Sequence, residues 1–187
     1  MSVELAVSGS GPDFVDRLAV RARNGDRQAF DQLVERYHGR LFRFAYRVLS
    51  DKAEAEDAVQ EAFVRAYRAL ATYRPEGFFT SWIYRITLNE CRRRVRQRET
   101  SVPLDEAKQE AGASDPMGAV LRGDRDRRLR EAIRALPEHY RIVLMLFYFE
   151  ELSVEEIAKA MSLGVSAVKV RLHRGRNRLA ERLTATL

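Results

Sequence analysis

Basic residues crowd the second half of the stretch 152–183, where Glu181 is the single acid among them. These basic residues are Lys169, Arg171, Arg174, Arg176, Arg178 and Arg182. Guanidinium groups grip phosphate oxygens and guanine edges through paired hydrogen bonds. The pattern therefore favours contact with nucleic acid. The alternative is an amphipathic hairpin whose arginines are merely solvated.

A second cluster places aromatic residues just before a basic helix. The aromatic residues are Phe78, Phe79, Trp82 and Tyr84, and the polar face that follows carries Arg85, Asn89, Arg92, Arg93 and Arg96. Aromatic rings beside arginines can stack unpaired bases and hold a sugar-phosphate backbone. The alternative places the rings in the core and leaves the arginines in water.

A third cluster is acidic and lies on one face of the predicted helix 52–70. Its members are Glu54, Glu56, Asp57, Gln60 and Glu61. Acids early in a helix also interact favourably with the helix dipole, which is the simpler interpretation. Five such residues within eight positions nevertheless form a surface suited to a basic partner.

The residue inventory argues against an enzyme. The three histidines are far apart, and the chain has no glycine-rich phosphate loop, nucleophile elbow or metal-ligand spacing. No cofactor or metal is expected. Cys91 shares an apolar helix face with Leu88, so we predict a packing residue and no disulfide.

Composition indicates an anionic partner and a cytoplasmic protein. The chain of 187 residues has a net charge of +6 and a pI near 9.8, which favours nucleic acid before a membrane surface. It has no apolar run long enough for a membrane span, and its N-terminus lacks the features of a signal peptide.

The periodicity throughout is helical, so the predicted fold is all-α. Helix N-termini are predicted at Asp13, Asp26 and Asp51, the last forming a capping box with Glu54. The predicted buried stripe of the third helix is Ala55, Ala58, Val59, Ala62, Phe63, Ala66, Tyr67 and Leu70. In the C-terminal part, the predicted stripe is Leu129, Ala132, Ile133 and Leu136, followed by an apolar helix from Pro137 that should be buried.

The stretch 152–183 is predicted to be a helix-turn-helix. Ser153 and Glu156 form a capping box for its first helix. Gly164 tolerates the positive φ that the turn needs, and Ser166 is placed to cap the second helix. Periodicity disappears between residues 99 and 123, where prolines, glycines and scattered acids indicate a linker. We therefore predict a loose tail over 1–12, one helical domain over 13–98, a flexible linker over 99–123 and a second helical domain over 124–187.

Over residues 26–98 and 124–183 the chain resembles bacterial RNA polymerase sigma factors of the extracytoplasmic-function (ECF, sigma-70 group 4) family. The motif AEDAVQEAFVRAYRAL (55–70) resembles region 2.2, and FFTSWIYRITLNECRRR (78–94) resembles regions 2.3–2.4. Residues 135–179 resemble region 4. The three motifs appear in the family's order, with a linker between the second and the third.

The resemblance implies a role for each cluster. Core polymerase would be bound, at the β′ clamp helices, by Glu54, Glu56, Asp57, Gln60 and Glu61. The single-stranded −10 element would be melted and read by Arg74, Phe78, Phe79, Ser81, Trp82, Arg85, Asn89, Arg92, Arg93 and Arg96. The −35 duplex would be read by Ser166, Ala167, Lys169, Val170, Arg171, Arg174 and Arg176. Contact with the β flap, control by an anti-sigma factor and a role in a stress or envelope response are also implied.

Four positions depart from the family pattern. Ser162 stands where a glycine is usual and Gly164 where proline is common, so the turn could have moved its strained residue. Val170 replaces a polar residue, and Arg93 stands where aspartate is frequent. The alternative function is a free-standing helix-turn-helix regulator of duplex operators, which would have no use for the acidic face or the aromatic–arginine face.

Overall fold

The computed structural model describes residues 12–75, 78–101 and 124–184, and within them every regular element is a helix. The N-terminal unit contains α1 (Pro12–Arg23), α2 (Arg27–Leu49), α3 (Lys52–Ala69) and α4 (Phe79–Ser101), with a 3-10 turn over Leu70–Thr72. The C-terminal unit contains α5 (Asp124–Arg134), α6 (Glu138–Tyr148), α7 (Val154–Met161) and α8 (Val165–Thr184). The predicted all-α class with two helical domains is confirmed.

Local signals begin and end the N-terminal helices where the sequence predicts, with two exceptions. Asp26 caps α2 by accepting from the Ala29 N–H at 3.1 Å, and Gly25 ends the preceding turn with φ 98°. Asp51 caps α3 by accepting from the Glu54 N–H. The Glu54 carboxylate binds Arg98, however, so the predicted box is only half formed. α1 begins at Pro12, two residues earlier than a cap at Asp13 would place it, because proline suits a first helical turn.

The N-terminal core is built from the faces of α1–α4 that carry apolar residues at helical spacing. Leu33, Leu41 and Phe44 of α2 are fully buried, as is the alanine-rich face of α3. Tyr67 was predicted in that face, but 49% of it is exposed because its ring lies against Phe30 at the rim. Cys91 is buried, as predicted.

The chain leaves the N-terminal unit later than the sequence predicts. α4 continues to Ser101, past the predicted linker start at residue 99. Residues 102–123 of the predicted linker and residues 1–11 of the predicted tail over 1–12 lie outside the described residues, and Pro12 belongs to α1.

The C-terminal unit packs α8 across α6. Ile142, Val143 and Leu146 of α6 are buried, but Tyr148 is 54% exposed, so the prediction that this helix is buried all round is wrong at its last turn. Leu129 was predicted in the α5 stripe and is 37% exposed. The close approach of α8 to α6 depends on Gly175, where an added Cβ would lie 3.2 Å from Leu144 Cδ1.

The turn between α7 and α8 differs from the prediction in its detail. The capping box at Ser153 is confirmed, with the Glu156 N–H donating to Ser153 Oγ and Glu156 Oε2 accepting from the Ser153 N–H. The left-handed residue is Ser162, with φ 54°, and not Gly164. Ser166 is not the cap, because α8 has already begun at Val165.

The two units pack against each other through α7 and the segment before it. α7 lies on α4, and Arg92 of α4 binds Glu138 of α6 with 2.9 Å between Nε and Oε1. Lys159 of α7 lies over the ring of Phe78, with Nζ 4.0 Å from the centroid. We call this arrangement the closed form.

Candidate nucleic-acid interface

A groove of about 860 Å³ lies between the start of α4 and the helix-turn-helix. Trp82 lines it, with its ring centroid 5.3 Å from that of Tyr73. Arg74 and Arg85 line the same groove and are exposed. Tyr73 is buried and Trp82 is half-buried against it, so Trp82 offers the accessible ring of the pair. A ring that shares a groove with two guanidinium groups can stack an unpaired base while they bind its phosphate. We call Tyr73, Arg74, Trp82 and Arg85 the aromatic–arginine groove.

Asp16 of α1 holds this groove in shape, although the sequence did not point to it. Its Oδ1 accepts from the Tyr73 hydroxyl at 2.9 Å and from the Phe79 N–H at 2.7 Å. Burial and this carboxylate raise the pKa of Tyr73, so the hydroxyl stays protonated and continues to donate. Asp16 therefore ties the 3-10 turn to the first turn of α4.

Two of the predicted −10 residues lie beneath the surface. Phe79 is fully buried and packs on Trp82 with 5.6 Å between ring centroids. Ser81 is 1% exposed, and its Oγ is buried with no hydrogen-bond partner among the described residues. Phe78, by contrast, is 40% exposed and has φ 57°. Phe79 thus supports the groove from below.

The arginine face of α4 is partly engaged inside the protein. Arg93 binds Glu90 at 2.9 Å, and Arg65 of α3 binds the same carboxylate at 2.7 Å. Glu90 is 2% exposed, and a buried carboxylate needs such pairing. Asn89 and Arg96 are exposed. Arg93 therefore stabilises the helix pair as well as adding charge to this face.

The acidic face of α3 is also less free than the sequence suggested. Its ion pairs are Glu54–Arg98 at 2.5 Å, Asp57–Arg94 at 3.5 Å and Glu61–Arg65 at 3.1 Å, and Glu56 Oε1 lies within hydrogen-bond distance of His38 Nε2 at 3.1 Å. The Glu61–Arg65 pair is exposed and contributes about 0–1 kcal/mol, whereas Glu54 and Arg94 are partly buried. A basic partner can therefore displace the exposed pair at small cost. Gln60 is exposed beside them.

The basic face of α8 is exposed along its first half. Ser166, Ala167, Lys169, Val170 and Arg174 are exposed, and Arg171 is half-buried. A second groove, of about 410 Å³, is lined by several of these residues together with His139 and Tyr140 of α6. No sequence pattern indicates these two residues, because only the packing of α6 on α8 brings them to the groove.

Arg176 differs from the other predicted −35 residues. Its guanidinium lies over Phe147 and Tyr148, with Cζ 5.4 and 5.5 Å from the ring centroids. It is exposed but stacked against α6, so its cation is oriented by aromatic rings.

The thiol of Cys91 has low reactivity at neutral pH. Burial raises the pKa of Cys91 to about 12, and the charge of Arg94 opposes that shift only in part. The thiolate, which is the reactive form, is therefore scarce at neutral pH.

Two family models match the chain in the order of the motifs. Sigma-70 region 2 matches residues 33–100, and Sigma-70 region 4 matches residues 126–179. No helix among the described residues combines the length and the apolar character that crossing a bilayer requires.

Relatives and solved structures cover nearly the whole chain. The ECF RNA polymerase sigma factor SigW of Bacillus subtilis is 33% identical over 176 residues, which is 87% of this chain and 93% of SigW. The RNA polymerase sigma-H factor of Pseudomonas aeruginosa is 34% identical over 182 residues, which is 91% of this chain and 94% of that protein.

The fold is shared with sigma factors solved in complexes. The structure of CnrH with the cytosolic domain of CnrY matches with a TM-score of 0.70 and 28% identity, over 92% of this chain and 99% of that chain. The sigma factor RpoE of Bartonella quintana, solved with the anti-sigma factor NepR, matches with a TM-score of 0.70 and 25% identity, over 83% and 96% of the two chains.

A free-standing helix-turn-helix regulator would not explain a region 2 match across α2, α3 and α4, so that alternative is not favoured. The chain belongs to the extracytoplasmic-function family of RNA polymerase sigma factors.

Proposed function

We propose that the chain binds core RNA polymerase, brings it to promoters with −35 and −10 elements and opens the DNA by capturing unpaired bases. The observation that carries this proposal is the aromatic–arginine groove, which Trp82 lines together with Tyr73, Arg74 and Arg85. In this proposal the chain acts in the cytoplasm and works by binding, without catalysing a reaction.

Core binding is proposed for the exposed face of α3. Gln60 and Asp57 are exposed there, and the exposed Glu61–Arg65 ion pair is weak enough to exchange for a basic partner on the β′ clamp helices. Contact of the C-terminal unit with the β flap rests on the family resemblance alone.

Recognition of the −10 element is proposed for the aromatic–arginine groove and the exposed residues that continue from it along α4. Stacking contributes about 1–3 kcal/mol per base and becomes available only after the bases unpair. Opening of this kind requires no nucleotide hydrolysis.

Recognition of the −35 duplex is proposed for the first half of α8. Lys169, Arg171 and Arg174 supply cations for phosphates and base edges. Val170 is 47% exposed and offers an apolar contact, such as one with a thymine methyl group.

Control by an anti-sigma factor is also proposed. The matching RpoE structure was solved with such a factor. The closed form of this chain covers the aromatic–arginine groove with α7, so a partner that stabilises closure would keep the groove from promoter DNA.

Two variants test whether core binding and DNA melting depend on different residues. Trp82→Ala should lower open-complex formation about fivefold or more, because a stacked base is lost, while affinity for core polymerase is kept. Gln60→Arg should weaken core binding, because it places a cation opposite a basic partner. The measurements are equilibrium binding to purified core enzyme and in vitro transcription over a promoter library, with permanganate detection of melted bases.

Gln32→Arg on α2 is the matched control, since it adds the same charge at another exposed position of the N-terminal unit. Core binding that falls equally in the Gln60 and Gln32 variants would contradict the α3 assignment. Equal loss of core binding and of melting in Trp82→Ala would make Trp82 only a packing residue.

A further inference from the structure

Glu150, in the segment between α6 and α7, is a buried acid that inserts into the other unit of the protein. Its side chain is 3% exposed. The Tyr84 hydroxyl donates to Oε2 at 2.5 Å, and Arg47 Nη1 donates to Oε1 at 3.1 Å. Arg40 donates to the Glu150 backbone oxygen at 2.8 Å, and its Nε lies 3.9 Å from Oε2. We call Arg40, Arg47 and Tyr84 the arginine socket.

Tyr84 and Arg40 are held in place by contacts that do not involve Glu150, whereas Arg47 lies over the ring of Phe149, at 4.6 Å, in the same segment as Glu150. Tyr84 packs edge-on against Phe44 with 5.4 Å between centroids, and Arg40 lies over the ring of Tyr37 at 5.8 Å. Two guanidinium groups on one face of α2 and a tyrosine hydroxyl on α4 therefore converge on a single anion. Because Arg40 and Arg47 are 37% and 33% exposed, they remain accessible from one side.

The same segment of the C-terminal unit covers both the socket and the aromatic–arginine groove. Glu150 fills the socket, and α7, which starts four residues later, lines the groove with Ala158 and Lys159. Tyr84 of the socket and Arg85 of the groove are consecutive residues of α4, so the two sites meet at one turn of this helix, although the two side chains leave it on different faces. When the two units separate, the socket and the groove are uncovered together as neighbouring sites.

A socket of two guanidinium groups and a hydroxyl donor suits a phosphate as well as it suits a carboxylate. We propose that the arginine socket binds a backbone phosphate of the unpaired DNA strand and that Glu150 is its built-in competitor in the closed form. This inference rests on the proposed function, because it extends the strand path from the groove across α4 to α2.

The test uses the full chain and a dye-labelled single-stranded oligonucleotide of mixed sequence, with affinity measured by fluorescence anisotropy over a range of salt concentrations. Glu150→Lys should open the protein, because a cation then faces Arg40 and Arg47. Opening is followed by energy transfer between dyes on cysteines placed at Gln28 and Asn177, both exposed. Oligonucleotide affinity should rise about fivefold or more above that of the control.

The matched control is Glu151→Lys, which changes the same charge at the next residue, where the side chain is exposed. A second opening variant, Glu150→Ala, removes the competitor without adding charge. Circular dichroism of every variant verifies its helical fold.

Arg47→Gln in the Glu150→Lys background tests whether the arginine socket binds phosphate or only holds the two units together. The protein should stay open, lose the gain in affinity and show a log–log salt slope that is smaller by about 0.7, as expected for one lost phosphate contact on a single strand. An open protein whose affinity and salt slope are unchanged by Arg47→Gln would overturn the proposal. The proposal would also be overturned if the Glu150 variants bound the oligonucleotide no better than Glu151→Lys does. The same holds if Arg47 contributed to the binding of an oligo-glutamate peptide but not to the binding of the oligonucleotide.

Arg85→Gln in the same background distinguishes this inference from the proposed function. If Arg85→Gln weakens binding and Arg47→Gln does not, the socket fails and the −10 assignment stands. If only Arg47→Gln weakens binding, the −10 assignment fails and the socket stands.

Discussion

At the scale of single residues, Glu150 shows how one buried charge couples protonation to domain closure. Burial raises the pKa of this carboxyl above its ordinary value of 4.5, while the Tyr84 hydrogen bond and the charges of Arg47, Arg40 and Arg43 oppose the shift. In an open protein Glu150 meets water, and its pKa returns towards the ordinary value. The closed form therefore binds this proton more tightly than the open form does.

We expect closure to strengthen as the pH falls from 7 towards 4.5, since the form with the raised pKa gains stability as it takes up its proton. Energy transfer between dyes at Gln28 and Asn177 should accordingly increase on acidification. The buried Cys91 thiol should not compete for the dyes at neutral pH, because its pKa is raised to about 12.

Glu150→Gln should remove this pH dependence, because glutamine does not titrate. If the variant keeps the dependence, the histidines or other carboxyls cause it. Energy transfer that decreases on acidification of the unmodified chain would show that the arginine charges dominate over burial.

At the scale of elements, the placement of the recognition helix depends on a glycine whose role lies in packing. Gly175 of α8 sits where a Cβ would be 3.2 Å from Leu144 Cδ1 and 3.4 Å from Tyr140 Cβ. Gly39 of α2 is also helical, but its added Cβ would meet only the end of Arg43 at 3.5 Å. The two glycines therefore form a matched pair in which only one is constrained by a neighbouring helix.

Gly39→Ala should stabilise the chain by up to about 1 kcal/mol, because alanine has the higher helix propensity. Gly175→Ala should gain less than this, and Gly175→Val should destabilise the fold by about 1–3 kcal/mol through overpacking against Leu144. Thermal unfolding followed by circular dichroism measures each change. Equal stabilisation by alanine at both sites would show that α6 yields to the added methyl group.

The turn between α7 and α8 takes its backbone geometry from the end of α7. Gly164 was expected to carry the positive φ, yet Ser162 carries it at 54°. The Ser162 N–H donates to Lys159 O and the Leu163 N–H to Ala158 O, so the end of α7 sets this geometry. The turn thus keeps its left-handed residue at the family's glycine position and tolerates a serine there.

At the scale of the whole molecule, the closed form covers one of the two proposed DNA-binding surfaces with the unit that carries the other. Arg92 binds Glu138 across the two units, and Lys159 lies over Phe78. Promoter recognition as proposed uses both surfaces at once, so the units must separate before initiation.

Cysteines at positions 92 and 138, joined by a short reducible bis-maleimide linker, should hold the protein closed. We expect the linked protein to lose open-complex formation with core polymerase and to recover it once the linker is cleaved by a reductant. The same molecules before and after cleavage serve as the control for the loss of Arg92 and Glu138. Unchanged transcription by the linked protein would show that initiation does not require separation.

The sequence alone determined the helical class, most helix boundaries, the capping box at Ser153 and the family. These features depend on a few consecutive residues, because caps, apolar periodicity and motif spacing are set by local backbone geometry. Predictions about which side chains are free were less successful. Tyr67 and Leu129 were placed in the core and are exposed, whereas Phe79 was placed at the DNA face and is buried.

Only the tertiary structure decided which charges are engaged. Asp16 holds Tyr73 from 57 residues away, and Glu150 meets Arg47 from 103 residues away. From the sequence around them, Asp16 and Glu150 are both predicted to be solvated surface carboxylates, since no residue nearby in the chain supplies a partner. Burial and pairing arise from contacts between distant segments, and those contacts make Glu150, an acid just after α6, a buried contact between the two units.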